Sequence, residues 1–219
     1  MHNIYSLVSG PLAWVSFILF VGGCLYRLTS MAVVAGEKDS MVYAYMSFRY
    51  ALRSIFHWII PFLSTNTKKH PFFTVISFAF HISLLAVPLF LIAHIILIKE
   101  SWNISWWFLP DTIADFLTLV VIACCIYFLV RRIIRPEVKF LTSFSDYLLL
   151  ALIAAPFITG FWTYHQFAGH KIMGIIHILC GEIMLAAIPF TRLSHMIFFV
   201  FTRGYTGSEF GAVRHARDW

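Results

Sequence analysis

Charged residues are scarce in this chain of 219 residues, at 12% of the total, whereas soluble domains carry roughly a quarter. Hydrophobic residues supply 60%, and the mean hydropathy is +0.83. The apolar residues are concentrated in long blocks, which excludes an ordinary soluble domain and predicts a membrane protein that crosses the bilayer several times. The net charge of +6 lies mainly in short loops, as in membrane proteins, so no nucleic-acid partner is expected.

Cysteine is also scarce, and its four residues all lie in apolar stretches: Cys24, Cys124, Cys125 and Cys180. The sequence has no Cys-x-x-Cys and no Cys-x-x-Cys-His, which argues against an iron–sulfur site and against covalently attached c-type haem. We expect the four side chains to be small buried hydrophobic groups. The first apolar block lacks a basic leading region and a small-residue cleavage site, so we interpret it as a retained span.

Five apolar blocks are long enough to cross the hydrocarbon layer, which takes about 20 helical residues. They cover residues 11–33, 72–98, 112–132, 145–165 and 171–201. A further stretch, 41–62, is interrupted by Arg49, Arg53 and His57, which fall four residues apart on one helical face. This spacing predicts an amphipathic helix at the interface, with a sixth span as the alternative.

The predicted fold class is therefore all-α, an integral membrane bundle of five transmembrane helices plus an amphipathic helix on the cytoplasmic side. We expect a single domain over residues 1–219. Basic residues are frequent in the first and third connecting segments and in the tail, and sparse in the other two loops. This alternation predicts that the N-terminus is outside and the C-terminus is cytoplasmic.

Four histidines lie inside two of the apolar blocks, His81 and His94 in the second, His177 and His195 in the fifth. Ionisable residues within a span are costly and indicate a functional site. With the predicted topology, His94 and His177 lie at a similar depth in the bilayer near the outer side. His81 and His195 lie at a similar depth near the cytoplasmic side, so the four histidines form two pairs. Two imidazoles on facing helices are what a bis-histidine haem iron needs, so we predict two haem sites.

The sequence spacing within each block determines whether its two histidines lie on the same face of a helix. His177 and His195 are 18 residues apart, five turns of helix, and are predicted to share a face. His81 and His94 are 13 residues apart, about 140° out of phase on an ideal helix. We expect Pro88, which lies between them, to kink the helix and correct that phase.

Two other residues are candidates. Glu182, inside the fifth block, is a candidate for proton transfer linked to a quinone, or for a hydrogen bond to a neighbouring helix. Arg192, three residues before His195, is a candidate partner for haem propionates or an ordinary interfacial arginine. Rival hypotheses for the whole chain are a histidine-lined proton channel or small transporter, and a membrane anchor without redox chemistry.

The sequence around the histidines resembles a known family. The matching pieces are Phe80-His81-Ile82-Ser83, the basic run of residues 131–136, Ile176-His177-Ile178-Leu179-Cys180-Gly181, and above all Pro189-Phe190-Thr191-Arg192-Leu193-Ser194-His195. Over roughly residues 73–203 the chain resembles the gamma subunit of respiratory nitrate reductase, a five-helix di-haem cytochrome b of the prokaryotic inner membrane. In that family, the two histidines of the first pair lie closer together in the sequence than His81 and His94 do here. Residues 36–72 of this chain form a longer, more basic insertion.

The resemblance implies two haem b groups, the outer one near a site for menaquinone or ubiquinone. It implies a cytoplasmic iron–sulfur subunit as partner. Similar cytochromes b serve membrane complexes of sulfate reducers, where that subunit resembles one of heterodisulfide reductase and a periplasmic multihaem cytochrome c takes part. The short chain and the early insertion slightly favour this second group over nitrate reductase itself.

Overall fold

The computed structural model describes residues 2–219, apart from the side chains of residues 2, 40 and 42. Helix accounts for 84% of the protein, with no strand in the described range. Five helices are long and apolar enough to cross a membrane: Asn3–Lys38, Pro71–Phe90, Asp111–Ile134, Phe144–Tyr164 and His170–Phe190. The predicted fold class is confirmed.

Within the described residues, twelve α-helices follow one another. A π-helical turn (Val8–Leu12) joins α1 to α2, a 3₁₀ turn (Arg192–Ser194) precedes α12, and a second π-helical turn (Glu209–Val213) follows it. They are α1 His2–Leu7, α2 Ala13–Lys38, α3 Ser40–Ala44, α4 Phe48–Ile59, α5 Thr65–Lys69, α6 Pro71–Phe90, α7 Ile92–Trp102, α8 Asp111–Ile134, α9 Pro136–Leu141, α10 Phe144–Tyr164, α11 His170–Ala187 and α12 His195–Ser208.

Several helix ends follow local sequence signals. α6 and α9 begin at Pro71 and Pro136, where the missing N–H costs no helical hydrogen bond. α10 begins with a capping box, in which the carboxylate of Asp146 accepts the backbone N–H of Ser143 at 2.8 Å. The last four spans begin within one residue of the predicted starts. The predicted ends of the second and fifth spans, at residues 98 and 201, are wrong, because these helices end at Phe90 and Phe190.

The amphipathic segment is the separate helix α4, with 12 residues. Its length is about 18 Å, well short of the roughly 30 Å hydrocarbon layer. The alternative of a sixth span is therefore excluded for this helix. Whether it lies on the cytoplasmic side stays a prediction.

The chain forms two compact units, one made of the residues up to Thr74 together with Glu182–Trp219, the other of Val75–Gly181. The prediction of a single domain is not tested by this division. The second unit has a core built around Phe80, Val121 and Phe157 from α6, α8 and α10. Phe80 meets Phe128 edge to face, with ring centroids 5.2 Å apart.

In the first unit, α12 packs closely against α4 through glycines. A Cβ atom at Gly207 would lie 2.5 Å from the Ser54 Cβ and 2.6 Å from the Tyr50 carbonyl oxygen. At the end of this contact, the Ser47 N–H donates to the Ser208 hydroxyl over 3.2 Å. Only a residue without a side chain allows this approach, so Gly207 fixes the position of α4 on α12.

Candidate functional site

The rings of His94 on α7 and His177 on α11 face each other within the second unit. Their centroids are 6.0 Å apart and their planes differ by 10°. Both side chains are half-buried. The structure thus brings together the two histidines of the predicted outer pair.

Each of these rings is oriented by the carbonyl of a proline. The His94 Nδ1 donates to the Pro88 carbonyl oxygen at 2.9 Å, and the His177 Nδ1 donates to that of Pro156 at 2.8 Å. A neutral imidazole that carries its proton on Nδ1 has its lone pair on Nε2, which is the form that ligates a metal. Both rings are therefore held in the ligating tautomer.

The spacing of the pair fits a metal ion held between two imidazoles. Metal–nitrogen bonds of about 2.0–2.1 Å, added to about 1.2 Å from each ligating nitrogen to its ring centroid, separate the two centroids by about 6.4 Å. The observed 6.0 Å is slightly shorter than that spacing. In the part of the chain that the structure describes, no three His, Cys, Asp or Glu side chains group as metal ligands. The two imidazole nitrogens are the type of ligand that would hold a haem iron if one were bound.

Gly160 on α10 makes room for the ring of His177. A Cβ atom at this position would lie 2.8 Å from Cε1 and 3.0 Å from Nδ1 of the imidazole. Both distances are below normal contact, so any side chain at residue 160 would push the ring away. The roles of Gly160 and Pro156 were not anticipated from the sequence, and Pro88 was expected only to kink the helix. A proline and a glycine four residues apart within one span were the available signal.

The helix interruption between His81 and His94 lies at Leu91, three residues after the predicted kink at Pro88. Leu91 is extended, with ψ of 128°. The break releases three carbonyl groups, and each finds a new donor: Pro88 binds the His94 ring, Leu89 binds the Trp106 indole N–H at 2.7 Å, and Phe90 binds the Leu109 N–H at 2.9 Å. Backbone groups within a membrane must be satisfied in this way.

The prediction that His177 and His195 share one face of a continuous helix is wrong. α11 ends at Ala187, and His195 is the first residue of α12. Pro189 lacks the N–H that would continue the helix, and the Thr191 hydroxyl donates to the Ala187 carbonyl at 2.8 Å. Five helical turns therefore do not relate the two histidines.

His81 and His195 have the same anchoring as the outer pair. The Nδ1 of His81 donates to the Ser77 carbonyl at 2.7 Å, and that of His195 donates to the Arg192 carbonyl at 2.8 Å. The two residues belong to different compact units, so the pairing of His81 with His195 stays a prediction. Arg192 is exposed on the 3₁₀ turn, directly before His195.

Glu182 lies on α11 and is only 8% exposed. Neither of its carboxylate oxygens has a hydrogen-bond partner among the described residues. A buried acid without partners is expensive when ionised, so the group is suited to hold a proton. The structure leaves its role as a proton carrier untested.

Polar residues of the second unit meet where α10 ends. His165, at the end of α10, approaches Asp115 with 3.1 Å between Nε2 and Oδ2. Its ring also lies 4.3 Å from that of Phe161 and 5.8 Å from that of Phe167. A titratable pair with aromatic neighbours thus stands near the end of a span.

A contact of the first unit was missed from the sequence. The residues after α12 fold over α4, where Trp219 stacks on His57 with centroids 3.8 Å apart and receives the Arg53 guanidinium at 4.6 Å. The buried carboxylate of Asp218 accepts the Ser54 hydroxyl and lies 4.0 Å from Arg203. The basic face of α4 is therefore partly covered by these last residues, while Arg49 remains exposed.

Comparison with known proteins finds a relative over nearly the whole chain. A curated protein of Nitratidesulfovibrio vulgaris, which bears only the name "Protein", is 34% identical over 215 residues, covering 96% of this chain and 95% of its own. The chain belongs to the family of that protein. The shared length spans both units of the fold, so the relationship includes all five apolar helices. No family model and no solved structure matches.

Proposed function

We propose that this chain is a membrane di-haem cytochrome b subunit, which passes electrons between the quinone pool and an iron–sulfur subunit at the cytoplasmic face. The observation that carries the proposal is the parallel pair of His94 and His177, 6.0 Å between centroids, in a chain with five apolar helices. Both rings are held in the tautomer that ligates metal. The resemblance to the nitrate reductase gamma subunit points the same way.

A second haem would be held by His81 and His195. Their support is the carbonyl bond at each Nδ1, which matches the outer pair, and the resemblance of residues 189–195 to the gamma subunit of nitrate reductase. Arg192 would offer its guanidinium to a propionate of this haem, since arginine pairs well with carboxylates. With the predicted orientation, N-terminus outside, this pair would lie toward the cytoplasm.

When bound, haem supplies one-electron chemistry at a potential set by its ligands and surroundings. The residues of the chain do the rest. The carbonyls of Pro88 and Pro156 orient the outer histidines, and Gly160 leaves space for the ring of His177. The lipid-facing apolar surface of the spans excludes water from the site.

Quinone oxidation or reduction also moves protons, and two features suit that task. Glu182 is a buried carboxylate without a partner among the described residues, and His165 with Asp115 forms an ionisable pair at the end of a span. We assign quinone-linked proton transfer within the bilayer to Glu182, and the His165–Asp115 pair is a separate contact of the second unit. Menaquinone and ubiquinone both fit this chemistry.

The partner surface would be the basic cytoplasmic side, including Arg49 and the loop of residues 131–139. An iron–sulfur subunit resembling that of heterodisulfide reductase, with a periplasmic multihaem cytochrome c on the other side, fits the sulfate-reducer type of complex slightly better than nitrate reductase. This places the chain in the prokaryotic cytoplasmic membrane.

A dithionite-reduced minus oxidised spectrum of the purified chain tests the proposal. A b-type alpha band and haem iron in a ratio near two per chain are expected. Absence of both would overturn the cytochrome proposal and leave the histidine-lined channel or the simple anchor.

A further inference from the structure

The loop between α7 and α8 returns to the break between α6 and α7. The Trp106 indole N–H donates to the Leu89 carbonyl oxygen at 2.7 Å. The Leu109 backbone N–H donates to the Phe90 carbonyl oxygen at 2.9 Å. The ring of Trp107 also stacks on that of Phe90, with centroids 4.4 Å apart. The loop is thus tied to the two last residues before the break.

One backbone rotation would close the break into a continuous helix. Leu91 has φ of −74° and ψ of 128°, so rotation of ψ alone to about −40° would restore helical geometry. The carbonyls of residues 88–90 would then accept the N–H groups of residues 92–94. The loop donors therefore compete with the N–H groups of α7 for the same acceptors. No Asp, Glu, Lys or Arg occurs between residues 71 and 98, and in such apolar surroundings a carbonyl without a donor is costly.

The position of His94 depends on which donors occupy these carbonyls. In the broken helix, its Nδ1 donates to the Pro88 carbonyl oxygen at 2.9 Å. In a continuous helix that carbonyl would accept the Ile92 N–H, and the chain after Leu91 would change direction. The His94 ring would then leave its place opposite that of His177, where the centroids are 6.0 Å apart. The loop thus acts on the histidine pair through the backbone.

We propose that Trp106 is a positioning residue for His94. Its bond to the Leu89 carbonyl keeps the helix broken and thereby holds the His94 ring opposite that of His177. Loss of the indole donor would leave the Leu89 carbonyl to the N–H groups of α7, and the break would close more often. The ligand role of His94 rests on the proposed function, whereas the coupling of the loop to the break does not.

Replacement of Trp106 by phenylalanine (W106F) tests the proposal, because it removes the indole N–H and keeps an aromatic ring. Hydrogen exchange of the Leu109 N–H in the full-length chain measures how often the break closes, since closure releases this group. We expect exchange about tenfold faster in W106F, the effect of leaving a carbonyl without its donor. In the haem-loaded chain, loss of one haem to excess apomyoglobin should be faster by the same factor, because closure withdraws His94.

The variant W162F is the matched control. The Trp162 indole N–H also donates to a backbone carbonyl, that of Ala168, at 3.0 Å. The two variants thus lose the same kind of hydrogen bond within the same compact unit. W162F should leave the exchange of the Leu109 N–H and the loss of haem unchanged.

The double variant W106F/I92P separates closure of the break from simple loosening of the loop. Ile92 is the first residue of α7, a position where proline fits well. Proline there also favours the extended backbone that Leu91 has and prevents a continuous helix. Both rates should therefore return to about those of the unaltered chain.

Three results would each overturn the proposal: unchanged exchange in W106F, equal acceleration in W162F, or no recovery in the double variant. A chain that binds no haem would overturn the proposed function instead. The exchange of the Leu109 N–H would still decide whether Trp106 holds the break open.

Discussion

The imidazoles of His94 and His177 lie parallel, with planes 10° apart, and each donates its Nδ1 proton to the carbonyl of a proline. One proline precedes a helix break and the other lies inside a helix. A proline interrupts the hydrogen-bond ladder of a helix, and here the carbonyl oxygen of each proline accepts a hydrogen bond from a histidine ring. Backbone carbonyl groups thus fix the tautomers of the two proposed metal ligands, and no acidic side chain is needed for this.

Replacement of Gly160 by alanine should disturb the outer site. The new Cβ would lie 2.8 Å from the His177 ring, so the ring must move, and ligand geometry tolerates little displacement. We expect reduced occupancy of one haem and an altered low-spin spectrum. Gly22→Ala is the control, since no atom lies within 4 Å of its added Cβ. Identical spectra for the two variants would show that Gly160 has no part in the site.

Replacement of Glu182 by glutamine should slow quinol oxidation while leaving both haems bound. Glutamine keeps the shape of the neutral acid but cannot release a proton. Removing a carboxylate that has no partner in the described structure should leave thermal stability unchanged or raised. Turnover with a quinol analogue is the measurement, and Glu137→Gln, at an exposed glutamate, is the control. Full turnover in the Glu182 variant would reduce this residue to a structural role.

The fold of the tail over α4 should depend on Asp218. Its carboxylate is buried beside Ser54 and Arg203, and truncation to alanine would leave those groups without an acceptor. We expect a loss of about 1–3 kcal/mol in the free energy of unfolding and faster tryptic cleavage after Arg214. Arg217→Ala, at an exposed position, should change stability little. Equal protection of the tail in both variants would contradict the contact.

The contact of Tyr205 with Asp39 should weaken only in strong alkali. The hydrogen bond to Asp39 raises the pKa of Tyr205 to about 12, from an ordinary value near 10. The protonated hydroxyl is thus favoured by folding, and its contribution is present below pH 10 and lost as the pH rises toward 12. The free energy of unfolding of the unaltered chain should exceed that of Tyr205→Phe by a constant amount from pH 7 to 9. The two values should converge above pH 10. A difference that grows with pH would have the wrong sign.

The sequence predicted the spans and the amphipathic helix because hydrophobic period and length report directly on burial in lipid. It also predicted that His94 and His177 meet, through depth alone. It failed at the ends of helices within the membrane. The break at Leu91 depends on donors from Trp106 and Leu109, which are remote in sequence, and the break before His195 turned an expected single span into two helices.

The contacts of the tail could not be predicted from the sequence either, because the hydrogen bond between Ser54 and Asp218 joins residues 164 positions apart. Periodicity reports only on neighbours along a helix. Gly160 shows the same limit, because a glycine in a span has many explanations until the ring that it accommodates is seen.

The haem content of the purified chain and of three variants, His94→Ala, His177→Ala and the double replacement, tests the central claim most directly. If the two histidines hold one iron between them, each single variant loses the same haem, and the double variant loses no more than either. About one haem per chain should then remain in all three, with identical difference spectra. Additive losses in the double variant, or full haem content in either single variant, would contradict the account.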